Sequence, residues 1–168
     1  TSKQMAALTT SQVAGITTYQ ISQLTTKQMA GLSSVQIGAL ETEDLVLLTT
    51  DQIVSLTKNQ IGGLNADLVA ALTTDQLVSL TTAQIAQFNT DQIVALTTDQ
   101  VVSLTTDQLT ALTSDQLGAV EVSDFSAMTT DQLTVLSADQ LAGLTDDQVT
   151  ALSSTQLKVF SDNGLMSS

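Results

Sequence analysis

Residues 89 to 112 read NTDQIVAL TTDQVVSL TTDQLTAL, a polar quartet and an apolar quartet stated three times. The same phrase runs through the whole chain. Cut into eights from Thr1, the 168 residues make 21 blocks with no insertion, ending at Ser168. With the places in a block numbered one to eight, place five is apolar throughout, from Met5, Val13 and Ile21 to Val149, Leu157 and Leu165. Place eight is apolar in all but the last block, mostly Leu, with Ile16, Phe88, Val120, Met128 and Phe160 as variants. Place four is Gln in 17 of the 21 blocks, and place seven is Ala, Gly or Ser in 16. Place one is Ser, Thr or Asn everywhere except Glu41 and Glu121. So unbroken a register predicts one repeat array over 1–168, with no second domain or linker.

The period selects the element. In a strand, alternation would put Gln of place four on one face with place eight, and the two dominant apolar places on opposite faces. A β-solenoid with two blocks per coil is the alternative, since Thr, Val and Ile favour strands. In a helix, places five and eight are spaced i, i+3 and share one face, with the small place seven beside them. Thr or Ser at place one and Gln at place four make a capping box, in which hydroxyl and amide each satisfy the other residue's backbone N–H. Asp at place three, as at Asp51, Asp75, Asp91, Asp99, Asp107, Asp115, Asp131, Asp139 and Asp147, sits in the first turn, where the macrodipole favours negative charge. The capping pairs are read as Thr49 with Gln52, Thr97 with Gln100 and Thr105 with Gln108. The core positions beside them are Ile53, Leu56, Ile93, Leu96, Val101 and Leu104.

A continuous helix fails. Eight residues at about 100° each leave a residual of about 80° per block, so the apolar stripe would wind round the rod. Proline is absent, so the hydroxyl caps must turn the chain. The expected fold is all-α: an α-solenoid, a superhelical rod of 21 eight-residue repeats with one short capped helix per repeat. A lone helix of about five to seven residues does not hold in water. Stability must come from helices leaning on their sequence neighbours, with places five and eight inside and place seven allowing close approach.

Three Phe, one Tyr and no Trp leave small aliphatics to fill the interior. The chain has no Cys, no His and no Arg, which excludes disulfides, Ser-His-Asp and Cys-His sites, and zinc by its usual ligands. No phosphate-binding loop occurs; Gly62-Gly63 lies inside the register. The carboxylates recur with the repeat, as a structural feature does, so no catalytic activity and no cofactor are expected. No apolar run approaches membrane-spanning length, and no signal peptide is recognised. The opening Thr-Ser-Lys reads as a segment excised from a longer repeat protein. Charge is uneven: residues 1–40 hold Lys3 and Lys27 and no acid, while the remainder holds all 17 acids against Lys58 and Lys158, giving +2 and −15. A basic head could meet the acidic tail of a neighbour; the competing reading is drift on a solvated surface. Nucleic acid finds neither basic patch nor aromatic platform.

The register lapses at four blocks. ETEDLVLL (41–48) and EVSDFSAM (121–128), 80 residues apart, replace both cap and Gln with acids. Glu41, Glu43, Asp44, Glu121 and Asp124 are therefore candidate Ca²⁺ ligands. An altered cap is the competing reading, because Asp at the fourth place still faces the dipole's positive end and no DxDxDG-type loop is present. NADLVAAL (65–72) puts Leu68 where Gln belongs, a packing variant between helices. SDNGLMSS (161–168) loses the apolar place eight and carries the turn signal Asn163-Gly164, so it reads as a degenerate end repeat.

The blocks NTDQIVAL, TTDQVVSL and TTAQIAQF resemble the tandem Thr-Thr-x-Gln-[Ile/Val/Leu]-x-x-Leu arrays of very large bacterial proteins, described as surface, adhesin-like or secreted repeat proteins. The likeness covers essentially the whole chain, weakening at the four lapsed blocks. It implies an extracellular or cell-surface location and a structural role as spacer, stalk or self-assembling fibre, with lateral or end-to-end self-association or neighbouring repeats of the same chain as partners. It brings no catalytic or ligand residue. The alternative function is a binding module, with Ca²⁺ at the acidic blocks or a peptide or glycan in the solenoid groove. Ice binding by the Thr arrays is a third.

Overall fold

The computed structural model describes residues 1–162. Each octad there contributes one helix, twenty among the described residues, and no strand occurs among them, which removes the β-solenoid alternative. The fold is an all-α solenoid. The chain divides into two compact units, 1–88 and 89–168. The first unit holds α1 Ser2–Ala6, α2 Thr10–Ala14, α3 Thr18–Ser22, α4 Thr26–Met29, α5 Ser34–Ile37, α6 Thr42–Leu45, α7 Thr50–Val54, α8 Lys58–Ile61, α9 Ala66–Ala71, α10 Thr74–Ser79 and α11 Thr82–Ile85. The second holds α12 Thr90–Val94, α13 Thr98–Ser103, α14 Thr106–Thr110, α15 Ser114–Gly118, α16 Val122–Ser126, α17 Thr130–Thr134, α18 Ala138–Leu141, α19 Asp146–Thr150 and α20 Ser154–Asp162.

Most helices begin because their place-one residue is extended while its side chain already accepts from the place-four N–H. Thr49, for example, has φ −69° and ψ 158°. Each ends about one turn later, where the place-eight N–H returns to the place-five carbonyl, as Leu56 does to Ile53 at 3.1 Å. That tight i→i+3 bond closes the turn, and the next cap redirects the chain. The final helix departs from the rule. α20 runs nine residues across the block boundary, and the Ser161 hydroxyl donates back to the Lys158 carbonyl instead of capping a new helix. An exposed ion pair between Lys158 and Asp162 at 2.7 Å spans the same turn. The rest of the proposed end repeat, with Asn163-Gly164, lies outside the described residues.

Packing corrects one expectation. The principal partner of a helix is the third one along: α1 packs on α4, α2 on α5, α5 on α8 and α7 on α10 in the first unit. In the second, α13 packs on α16, α15 on α18 and α17 on α20. Consecutive helices diverge at their shared corner, and one turn of helix is too short to fold back on its neighbour. A face is covered only once the chain has completed a coil. Place five is inside from Met5 to Leu141, and Ile53, Ile93 and Val101 are buried with Leu56, Leu96 and Leu104 of place eight. Burying a side chain of this size contributes about 1.5–3 kcal/mol, which offsets the cost of ordering such short helices. Cover thins at two places. Leu8, Ile16 and Leu24 near the start, and Leu144 and Val149 near the end, are only half-buried.

Candidate functional site

The repeated polar quartet builds a seam rather than a pocket. In the block starting at Thr49, Gln52 N–H donates to Thr49 Oγ1 at 3.2 Å and Thr49 N–H donates to Gln52 Oε1 at 2.8 Å. The same reciprocal pair joins Thr97 with Gln100 and Thr105 with Gln108. These bonds use only the oxygen of the Gln amide. Its nitrogen does a second task, one that sequence reasoning missed.

Gln76 Nε2 donates to the carbonyls of Leu45 at 2.9 Å and Leu48 at 2.8 Å, residues 31 and 28 positions earlier. Gln36 reaches Met5 and Leu8, and Gln60 reaches Met29 and Leu32, at the same separations. In the second unit Gln140 reaches Leu109 and Leu112, and Gln148 reaches Leu117 and Val120. Each Gln thus staples its own helix start to the helix end four blocks back. With helices packing three apart and amides reaching four apart, a coil takes between three and four helices. These Gln side chains are buried, and among the described residues no buried side-chain nitrogen or oxygen lacks a partner. A signal for this was present. A capping box accepts Glu as readily as Gln, yet place four is never Glu. Only an amide can also donate.

Gln4, Gln12 and Gln20 cap their helices by Oε1 but are exposed, and Gln28 is half-buried. Their positions precede the first complete coil. Block 65–72, which has Leu68 in place of Gln, compensates locally. Asn65 Oδ1 accepts from Leu68 N–H at 2.9 Å, while Asn65 Nδ2 donates to the Gly38 carbonyl at 3.1 Å. Leu68 itself is buried.

Small residues set the spacing between coils. A Cβ on Gly31 would lie 2.6 Å from Ser2 Cα, and one on Gly63 or Gly143 would overlap the backbone of Ser34 or Ser114. A Cβ on Gly38 would meet the Gly63 carbonyl oxygen at 2.5 Å. Place seven therefore rests on place two of the helix three blocks earlier. Where place seven is Gly in these pairs, place two is Ser rather than the usual Thr.

The acidic blocks do not converge. Glu41 and Glu121 make no side-chain capping bond. Glu41, Glu43 and Glu121 are exposed, whereas Asp44 and Asp124 turn inward and are buried. Asp124 Oδ1 accepts from the Thr98 hydroxyl at 2.5 Å and from the Ser123 hydroxyl at 3.3 Å, linking to a helix three blocks earlier in place of a Gln. Burial first, then Glu41 and Glu43, push the Asp44 carboxyl above its ordinary pKa. Among the described residues no three His, Cys, Asp or Glu side chains come together to hold a metal ion. No helix there is long and apolar enough to cross a membrane. An open recess of about 480 Å³ is lined by Thr1, Ser2, Lys3, Thr25, Lys27 and Gln28, so it gathers both lysines of the first forty residues.

Comparison with known families matches residues 1–34, 37–74, 69–106 and 118–154 to the ALTTAQ repeat. No curated protein matches the chain.

Proposed function

Since the chain belongs to the ALTTAQ repeat family, we propose that it is a non-catalytic structural segment of a bacterial cell-surface or secreted protein, serving as a spacer or stalk. One observation carries this reading: the buried Gln amides are spent on bonds inside the fold, one half on the helix cap and the other on the previous coil. Oε1 holds the helix start and Nε2 holds the previous coil, as at Gln60 and Gln148. A group satisfied on every side has nothing to offer a substrate. Because each block seats on the third and fourth blocks before it, an added block adds the same increment of structure, which is what a spacer requires. The exposed faces carry Thr and Asp, suited to a solvated exterior.

Small-angle scattering on chains with blocks inserted within one unit tests the reading. The maximum dimension is expected to rise by an equal step for each coil added. A dimension that stays constant as blocks are added overturns it.

A further inference from the structure

We propose that Asp44, together with the backbone carbonyls of Val13 and Ile16, binds a hard cation, Ca²⁺, with water completing the shell. The inference goes beyond the spacer reading and does not depend on it.

The amide staple supplies the geometry. A Gln at place four sends its nitrogen to the carbonyls 31 and 28 positions earlier, as Gln36 does to Met5 at 2.9 Å and to Leu8 at 2.6 Å. Asp44 holds place four of its block and stands 31 and 28 positions beyond Val13 and Ile16. Its helix α6 packs on α3, as the repeat requires. Where Gln brings a donor to this seam, a carboxylate brings only acceptors. The register therefore turns three sets of acceptor oxygens toward one another with no hydrogen between them. Asp is one methylene shorter than Gln, so its oxygens stop short of the carbonyls. The interval left suits an ion with bonds of about 2.3–2.6 Å to oxygen on each side.

Asp124 is the internal control. It too holds place four, and two hydroxyls, of Thr98 and Ser123, donate to its carboxylate. The residues in the same places about Asp44 are Thr18, with which it makes no bond, and Glu43, a second acid. Asp44 is 2% exposed, and its carboxylate accepts no hydrogen bond. Since no fully buried side-chain oxygen among the described residues lacks a partner, the Asp44 oxygens keep a narrow contact with solvent, which is the ion's way in. Burial first, and then Glu41 and Glu43, make the bare carboxylate costly, and a bound cation relieves all three. Glu41 and Glu43 remain exposed and contribute their field rather than a ligand. A donor set of one carboxylate and two carbonyls agrees with the absence, among the described residues, of any three acids gathered for a metal.

Thermal melts in chelator and in rising CaCl₂, against NaCl of equal ionic strength, decide it. With so few charged ligands the dissociation constant should be on the order of 10⁻⁴–10⁻³ M. The Tm of the unaltered chain should rise by about 3–6 °C once Ca²⁺ exceeds that constant about tenfold. Asp44→Gln installs the residue that place four carries in 17 of the 21 blocks, so it should fold and melt without regard to Ca²⁺. Asp44→Asn, which keeps the shape and removes the charge, should also lose the rise, and Asp124→Asn should keep it. An unaltered chain whose Tm ignores Ca²⁺ overturns the proposal. So does a rise that persists in Asp44→Gln, or one that Asp124→Asn loses as well, because the ion would then be acting on the acidic surface at large. The spacer reading stands or falls separately, on the scattering series.

Discussion

Gly63 lies so close to Ser34 that a Cβ on the glycine would overlap the serine's backbone carbonyl. The contact brings α8 against α5, and it exists because neither side chain reaches past its first atoms. Gly62, the preceding residue, faces the other way. A Cβ there would find its nearest heavy atom at 3.7 Å, in its own turn, with φ −65° and ψ −12° that any residue adopts.

The pair makes a matched test. Gly63→Ala should destabilise the protein by about 1–3 kcal/mol, the usual cost of forcing extra volume into a packed contact. Gly62→Ala should be neutral or stabilise by about 0.5 kcal/mol, through a less flexible unfolded chain. Urea denaturation measures both, and equal effects would mean that the coils are not locked at this point.

Gln76 offers a second contrast. Replacing it with Glu keeps the oxygen that caps Thr73 and removes both donors to Leu45 and Leu48, setting a carboxylate against two carbonyls. The loss should be about 3 kcal/mol at neutral pH, since a buried charged group is left without compensation. Part of it should return in acid, because burial favours the protonated acid in the folded state. The same change at exposed Gln12 should cost less than about 0.5 kcal/mol in the monomer. Two similar losses would show that the coil-to-coil staple contributes little.

Asp44 gives the protein a pH dependence of known sign. Its folded pKa is raised above the ordinary 3.8 by burial, then by Glu41 and Glu43. The native state therefore prefers the protonated acid. This group's contribution is complete below the unfolded pKa and is lost as pH rises through the folded one. Asp44→Asn should raise Tm at neutral pH and leave it unchanged in strong acid, as thermal melts across that range will show. A lower Tm at neutral pH would mean that the charge is stabilising, held by the start of α6.

Much of this was legible in the residue order because the forces involved are local. A hydroxyl at Thr49 and an amide at Gln52, three apart, can meet only if the backbone between them turns as a helix. Apolar Ile53 and Leu56 at the same interval then share a face. The lapses were legible as lapses, though not their remedies. That Asn65 supplies the bond Leu68 cannot make, or that Asp124 takes a proton donor from Thr98, depends on which helix lies opposite.

By itself the order of residues pointed to short capped helices with one apolar face, since capping and periodicity act within a single turn of chain, and it left the β-solenoid for the structure to remove. Only the tertiary structure decided that a helix rests on the third one along and staples itself to the fourth. That choice follows from the angle at which each capped corner redirects the backbone, and no eight-residue window contains both sides of the contact. The preference for Gln over Glu, and the pairing of Ser34 with Gly63, acquire their meaning there, because each satisfies a surface that arrives one full coil away.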